Sequence, residues 1–257
     1  LIRACLVLAA FAVRLASGAA PAYSPDSITN VNFTPGPFAP NSIITIFGSD
    51  LAFGTATLPG GALTALPLEL ANVRVMINNS AAPLLYVSPT QINLLVPSNL
   101  KPAGVIVYVV RQGVRGPDAP IALVAAAPQL FMGADGCVVA QHADYTPITT
   151  GSPAQPGETI VVYAAGLGAT QPNSAPGEIP KYPGQITAAL KILLDGTAVS
   201  QDEIQYAGLT PGFAGVYQIN VRLPDDVSVN PEIRAAAGDQ ISAAGVKLPV
   251  QPQPSSD

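Results

Sequence analysis

The chain has 257 residues, 49% of them hydrophobic and only 11% charged, enough apolar material for one large core or two ordinary ones and too much for a disordered chain. Its 23 glycines and 27 prolines follow no collagen-like period and interrupt the chain too often for long helices. A net charge of −5 with no basic stripe argues against nucleic acid or an anionic membrane surface as a partner.

The first element is an address. Residues 1–20 carry an apolar run from Ala4 to Val13 behind Arg3 and close on Ser17, Gly18, Ala19 and Ala20. The run is too short to span a bilayer, which takes roughly 20 residues, and it fits a secretory signal peptide. Removing it takes away Cys5 and leaves Cys137 alone, so no internal disulfide is expected. The expected product is secreted, extracellular or on the cell surface, with the periplasm as an alternative, and is not inserted in a membrane once the signal is gone.

From there the chain alternates short apolar runs with Pro, Gly, Asn and Asp. Strands are expected at Ile43–Phe47, Val73–Ile77, 92–96, 105–110, 160–163, 189–194 and 216–223. The 105–110 run is apolar on both alternating sets, which predicts cover on both faces or a domain contact. Residues 231–237 tempt a helix assignment, but Gly238 ends the run at once and a strand is preferred.

An internal repeat organises this pattern. Pro40 to Leu51 aligns with Pro156 to Leu167, Val75 to Ala81 with Ile192 to Ala198, Tyr86 with Tyr206, and Gln91 to Pro97 with Gln218 to Pro224. The offset widens along the chain because the second copy holds extra residues within 208–215. The expected architecture is all-β, two tandem immunoglobulin-like β-sandwich domains from an internal duplication, over 26–128 and 129–252. Asn78-Asn79 and Asp195-Gly196 are hairpin dipeptides, and Leu51 and Leu167 anchor turns. Gln91 and Asn93, like Gln218 and Asn220, share one strand face. Such amides are expected to satisfy the backbone of an adjoining loop rather than a ligand.

Candidate chemistry is sparse. The one histidine, His142, lies in 134–144 with Cys137, Asp135 and Asp144. A zinc site takes four ligands at recognisable spacing, and a second histidine or thiol is missing. A Cys–His pair would lack an oxyanion motif, and the acidic spacing lacks the alternation of a calcium loop. The segment reads as an exposed inter-domain loop, in which His142→Ala is expected to change little. There is no Gly-x-Ser-x-Gly elbow. Asp225-Asp226 and Asp202-Glu203 are adjacent carboxylates, not a pair opposed across a cleft. Catalytic, cofactor-binding and metal residues are therefore each expected to be none. Asn32-Phe-Thr34 and Asn78-Asn-Ser80 satisfy the glycosylation pattern.

Several longer blocks carry a family likeness. They are Phe38 to Ala52, Ala82-Pro-Leu-Leu-Tyr-Val-Ser-Pro-Thr-Gln-Ile-Asn93, Ala127-Pro-Gln-Leu-Phe131, Pro153 to Glu158, Tyr163-Ala-Ala-Gly-Leu-Gly168 and Tyr206 to Asn220. Together they resemble the Solibacter-type C-terminal domain of secreted acidobacterial proteins. Less specifically, the strand-Gly-Ser-Asp-Leu block resembles the IPT/TIG fold. The resemblance implies export, an immunoglobulin-like architecture and a place at the end of larger extracellular proteins, and it carries over no site residue.

The functional expectation is a non-catalytic extracellular or cell-surface binding or adhesion module. A structural spacer or assembly domain without its own ligand is the alternative, and a secreted hydrolase the third reading. Recognition usually falls to loops at sandwich ends, here 51–66 and 171–186, with Phe53 and Tyr182 as contact candidates. The expected partner is an envelope protein or polysaccharide. The absence of Trp and an aromatic content of 6% tilt that expectation toward protein.

Overall fold

The computed structural model describes residues 18–252. The signal-peptide reading over 1–20 lies, apart from its last three residues, outside the described residues. Within them the chain is built of strands joined by turns, with two single-turn 3-10 segments, Pro25–Ser27 and Gln201–Glu203, and no α-helix.

The first copy folds as two antiparallel sheets. One runs, in spatial order, Ile28–Asn30, Ile43–Phe47, Gln91–Leu95, Leu84–Val87, Ala56–Thr57; the other Ala119–Leu123, Ala103–Arg111, Val73–Ile77, Ser80–Ala82. The second copy repeats this. One sheet centres on Thr159–Ala165, Tyr217–Arg222 and Ile204–Leu209, and the other runs Thr197–Ala198, Leu190–Leu194, Ile233–Ala237, Gln240–Ile241. Alternation puts Ile44, Ile46, Ile92 and Leu94 inside the first sandwich and Ile160, Val162, Ile219 and Val221 inside the second, all fully buried. Each sandwich encloses its own apolar cluster, one drawn from Ile28 to Leu123 and one from Ala126 to Val250. These are two tandem immunoglobulin-like sandwiches.

The duplication reaches to irregularities. A register shift falls between Leu84 and Tyr86 in the first copy and between Ile204 and Tyr206 in the second. Both expected hairpins are present, with Asn78 at φ 52°, Asp195 at 46° and Gly196 at 82°. Residues 233–237 form a strand, and Leu51 and Leu167 are fully buried under their turns. One expectation is corrected. The 103–111 strand buries Val105, Val107, Val109 and Arg111, while Ile106, Tyr108 and Val110 are only half-buried. Its second apolar set lies on an outer sandwich face, where the Arg115 guanidinium covers the Tyr108 ring at 4.0 Å.

The two sandwiches meet along a seam. Leu66, Leu95 and Ala214 form a third buried cluster, with Ile43, Leu58, Leu85 and Ile179 packed against it. In the second copy the positions of Ile43, Leu85 and Leu95 hold Thr159, Gln205 and Arg222. There Gln205 Nε2 donates to Thr159 Oγ1 at 3.2 Å, and Arg222 pairs with Glu203 and Asp225. One surface has diverged twice, apolar where a neighbour covers it and polar where none does.

Candidate functional site

The two expected contact loops do not hang free. Ala65 bridges to Glu178, the Leu66 amide donates to the Gly177 carbonyl at 2.8 Å, and the Ile179 amide to that of Thr64 at 2.9 Å. The end of the first loop thus braces the middle of the second across the seam. Tyr182 is 79% exposed and lines a small cavity with Lys181, Glu178 and Pro180. Phe53 is 55% exposed, and its ring lies 4.1 Å from the guanidinium carbon of Arg111. Arg111 is buried and donates to the carbonyls of Asp50 and Ala19. The exposed ring of Phe53 therefore also roofs a buried cation, a structural duty that Tyr182 lacks.

His142 is placed differently from expectation. It is half-buried at the start of a turn after the Ala140–Gln141 strand, which pairs with Thr159–Ala165 inside the second sandwich. It is not in an exposed inter-domain loop. Its Nδ1 lies 2.6 Å from Glu158 Oε1, and its Nε2 lies 3.2 Å from the Ser152 carbonyl and 3.3 Å from Ser152 Oγ. An open cleft of about 670 Å³ runs along these residues with Asp144 and Gln155. Serine, histidine and glutamate in line suggest a nucleophile relay, a constellation that sequence spacing did not reveal because Ser152 and Glu158 reach His142 only through folding. The bonding argues otherwise. Nδ1 faces a carboxylate, which only accepts, and so carries hydrogen, while Nε2 is shared between the Ser152 carbonyl and Ser152 Oγ at nearly equal distances, so the hydroxyl is not aligned on it alone. Glu158 Oε2 is itself engaged by the Gln155 amide at 2.8 Å. Burial lowers the His142 pKa, but the bond to Glu158 and its charge, the Ser152 carbonyl and the Asp144 charge together bring it out above the ordinary value. The group is a charged clasp between two turns.

The remaining polar candidates have local roles. Asp135 accepts from the Cys137 amide, and Asp144 from the amide and hydroxyl of Thr146. Burial, and behind it Asp135, push the Cys137 thiol up, away from the thiolate a nucleophile needs. Asn32 donates to the Leu130 carbonyl at 2.9 Å, so its glycosylation would cost an inter-sandwich bond. The repeated amides are not tied to loop backbone as expected. Gln91 Nε2 donates to Asn93 Oδ1 at 2.8 Å, with Thr45 Oγ1 donating to the same oxygen, and Gln218 Nε2 donates to Asn220 Oδ1 at 3.3 Å. Among the described residues no cluster of His, Cys, Asp or Glu is arranged to hold a metal ion, and no helix is long and apolar enough to cross a membrane.

Residues 27–120 match the model of the IPT/TIG domain, which covers most of the first sandwich. No curated protein matches the chain. Among solved structures it is similar to the surface glycan-binding protein PbSGBP-B from Prevotella bryantii, at 13% identity over 88% of this chain and 41% of that one, with a TM-score of 0.28. It is likewise similar to SGBP-B of the Bacteroides ovatus mixed-linkage glucan utilization locus, at 10% identity over 83% and 42%, TM-score 0.34. A third is the gamma-CGTase from Alkalophilic bacillus clarkii, at 12% identity over 91% and 26%, TM-score 0.30. The chain spans about two fifths of the length of the two glycan-binding proteins.

Proposed function

We propose that the protein is a non-catalytic binding module of the extracellular space or cell surface, whose partner is an envelope polysaccharide or protein. One observation carries this. The 171–186 loop is braced by backbone bonds to the 51–66 loop, yet it holds Tyr182 79% exposed beside Lys181, where neither apolar core uses it. A ring held out on a rigid support loses little entropy on binding. The block likeness of the whole chain to the Solibacter-type C-terminal domain supports export.

Residues 21–257 should co-sediment saturably with envelope fractions, and Tyr182→Ala should weaken retention by about tenfold, a loss of roughly 1.4 kcal/mol, with an unchanged melting temperature. Absence of saturable retention from every fraction overturns the reading. The apolar seam favours a second reading, a rigid spacer without ligand, which expects that negative result and sensitivity to seam substitutions instead.

A further inference from the structure

The outward face of the main sheet in each sandwich repeats a set of side chains that no core requires. In the first copy Thr45 stands opposite Asn93, Phe47 opposite Gln91, and Tyr86 beside Asn93. In the second Val161 stands opposite Asn220, Tyr163 opposite Gln218, and Tyr206 beside Asn220. Above each face rises the same turn. Phe33 N donates to the Asn30 carbonyl at 3.0 Å and Asn30 N to that of Thr34 at 2.9 Å; Tyr145 N donates to His142 and His142 N to Thr146, both at 2.9 Å. Each turn presents an aromatic residue at its tip, Phe33 at 66% and Tyr145 at 69% exposure. Phe33 lies 5.9 Å from the Phe47 ring. In the second copy Tyr145 and Tyr163 hold the equivalent positions of turn and strand, and the Tyr163 hydroxyl donates to Gln141 Oε1 at 2.6 Å.

Two physical facts point to a ligand. Phe33 and Tyr145 sit at φ 58° and 67°, a left-handed conformation costing roughly 1–2 kcal/mol for a bulky residue and less for Asn or Gly. Strain kept at the same exposed place in both copies is a mark of function rather than packing. The amides also have spare capacity: Gln91 Oε1 and Asn93 Nδ2, like Gln218 Oε1 and Asn220 Nδ2, meet no protein partner among the described residues. Each face thus offers an aromatic pair, a free acceptor and a free donor, and none of these side chains is charged.

We propose that these two faces are equivalent binding sites for a neutral glycan, resting on the binding-module reading above. A sugar ring lies against the tip and strand aromatics by its apolar C–H face, and its hydroxyls bond the free amide atoms. Rings supply area at low entropy cost while amides fix orientation. On the second face Arg222 is paired with Glu203 and Asp225, and Asp144 beside Tyr145 is acidic, so the surroundings favour a neutral chain over an acidic one. Two sites in one rigid tandem engage one polymer together and raise retention beyond either alone. An aromatic content of 6% is thus offset by placement, since Phe33, Phe47, Tyr86, Tyr145, Tyr163 and Tyr206 concentrate on these faces.

The test is affinity electrophoresis of the folded chain in gels containing dextran, mixed-linkage β-glucan or galactomannan, with polygalacturonate as the acidic control. The wild type should be retarded by at least one neutral polymer and not by the control. Phe33→Asn and Tyr145→Asn remove the rings while easing the backbone, so melting temperatures should hold or rise. Each should weaken retardation several-fold, and together about tenfold or more, the equivalent of roughly 1.4 kcal/mol. Should the asparagine variants unfold, Gln91→Ala with Gln218→Ala carries the same expectation. No retardation in any neutral gel, or full retardation of the double asparagine variant, overturns the proposal. Envelope co-sedimentation that persists in either case leaves the binding-module reading standing.

Discussion

Single side chains here do two jobs that their neighbours in sequence do not announce. His142 holds its turn to Glu158 through Nδ1 and to Ser152 through Nε2. Its raised pKa means that the folded state binds the proton more tightly than the unfolded one. The stabilisation is therefore complete below the unfolded value near 6.5 and is lost as pH rises through the higher folded value. His142→Gln should cost about 1–2 kcal/mol near pH 5.5 and much less by pH 8.5. Thermal melts of both proteins across that range check this, and a difference that grows with pH would refute the clasp. Asn41 shows the same logic without charge. It adopts φ 64°, as Gly157 does at 76° in the second copy, but as asparagine it also donates across the seam to the Tyr217 hydroxyl at 3.1 Å.

At the scale of elements, the seam depends on backbone that comes too close for side chains. A Cβ on Gly215 would stand 2.3 Å from Leu95 Cδ1, at a φ of 73° that already disfavours it. Gly177 approaches Pro83 in the same way, at 2.7 Å. Gly215→Ala should therefore destabilise by about 1–3 kcal/mol, through overpacking and backbone strain. Gly212→Ala meets open space at a comparable φ of 86°, so it isolates the strain alone and should cost less. Denaturant titration of both variants separates the two contributions. Sequence pattern located central strands of both sandwiches, because alternation is a local property of a half-buried sheet, but it did not name Leu84–Val87, Ala119–Leu123 or Ile204–Leu209. It misjudged the second face of 103–111, because an apolar outer set looks the same whether covered by protein or by an arginine stem.

For the whole molecule, the linker belongs to the second sandwich. The Ala127 amide donates to the Gly166 carbonyl at 2.8 Å, and Gln129–Leu130 pairs with the 159–165 strand. The same place in the first copy is taken by Ala22, which exchanges bonds of 2.9 Å with Ser49. We propose folding units that begin upstream of 26 and of 129. Residues 125–257 should melt cooperatively and at a higher temperature than 129–257, which lacks the Ala127 pairing. Equal melts would return the boundary to 129. Residues 18–128 alone should melt lower than in the full chain, because Ile43, Leu85 and Leu95 lose their cover, at roughly 25 cal/mol per Å² of apolar surface exposed.

The all-β class, the hairpin dipeptides and the apolar alternation were legible in the chain itself, since each depends on residues near one another in sequence, and the duplication was legible because its blocks recur in the same order. Phe53 and Tyr182 were also visible as exposed-loop aromatics, but not that Phe53 covers Arg111. Only folding decided that the two loops brace each other, that His142 meets Glu158 and Ser152, and that Phe33 and Tyr145 rise over amides sixty to seventy-five residues further along. Those contacts join residues on separate turns, loops and strands, and which of these become neighbours is set by burying two cores and one seam at once.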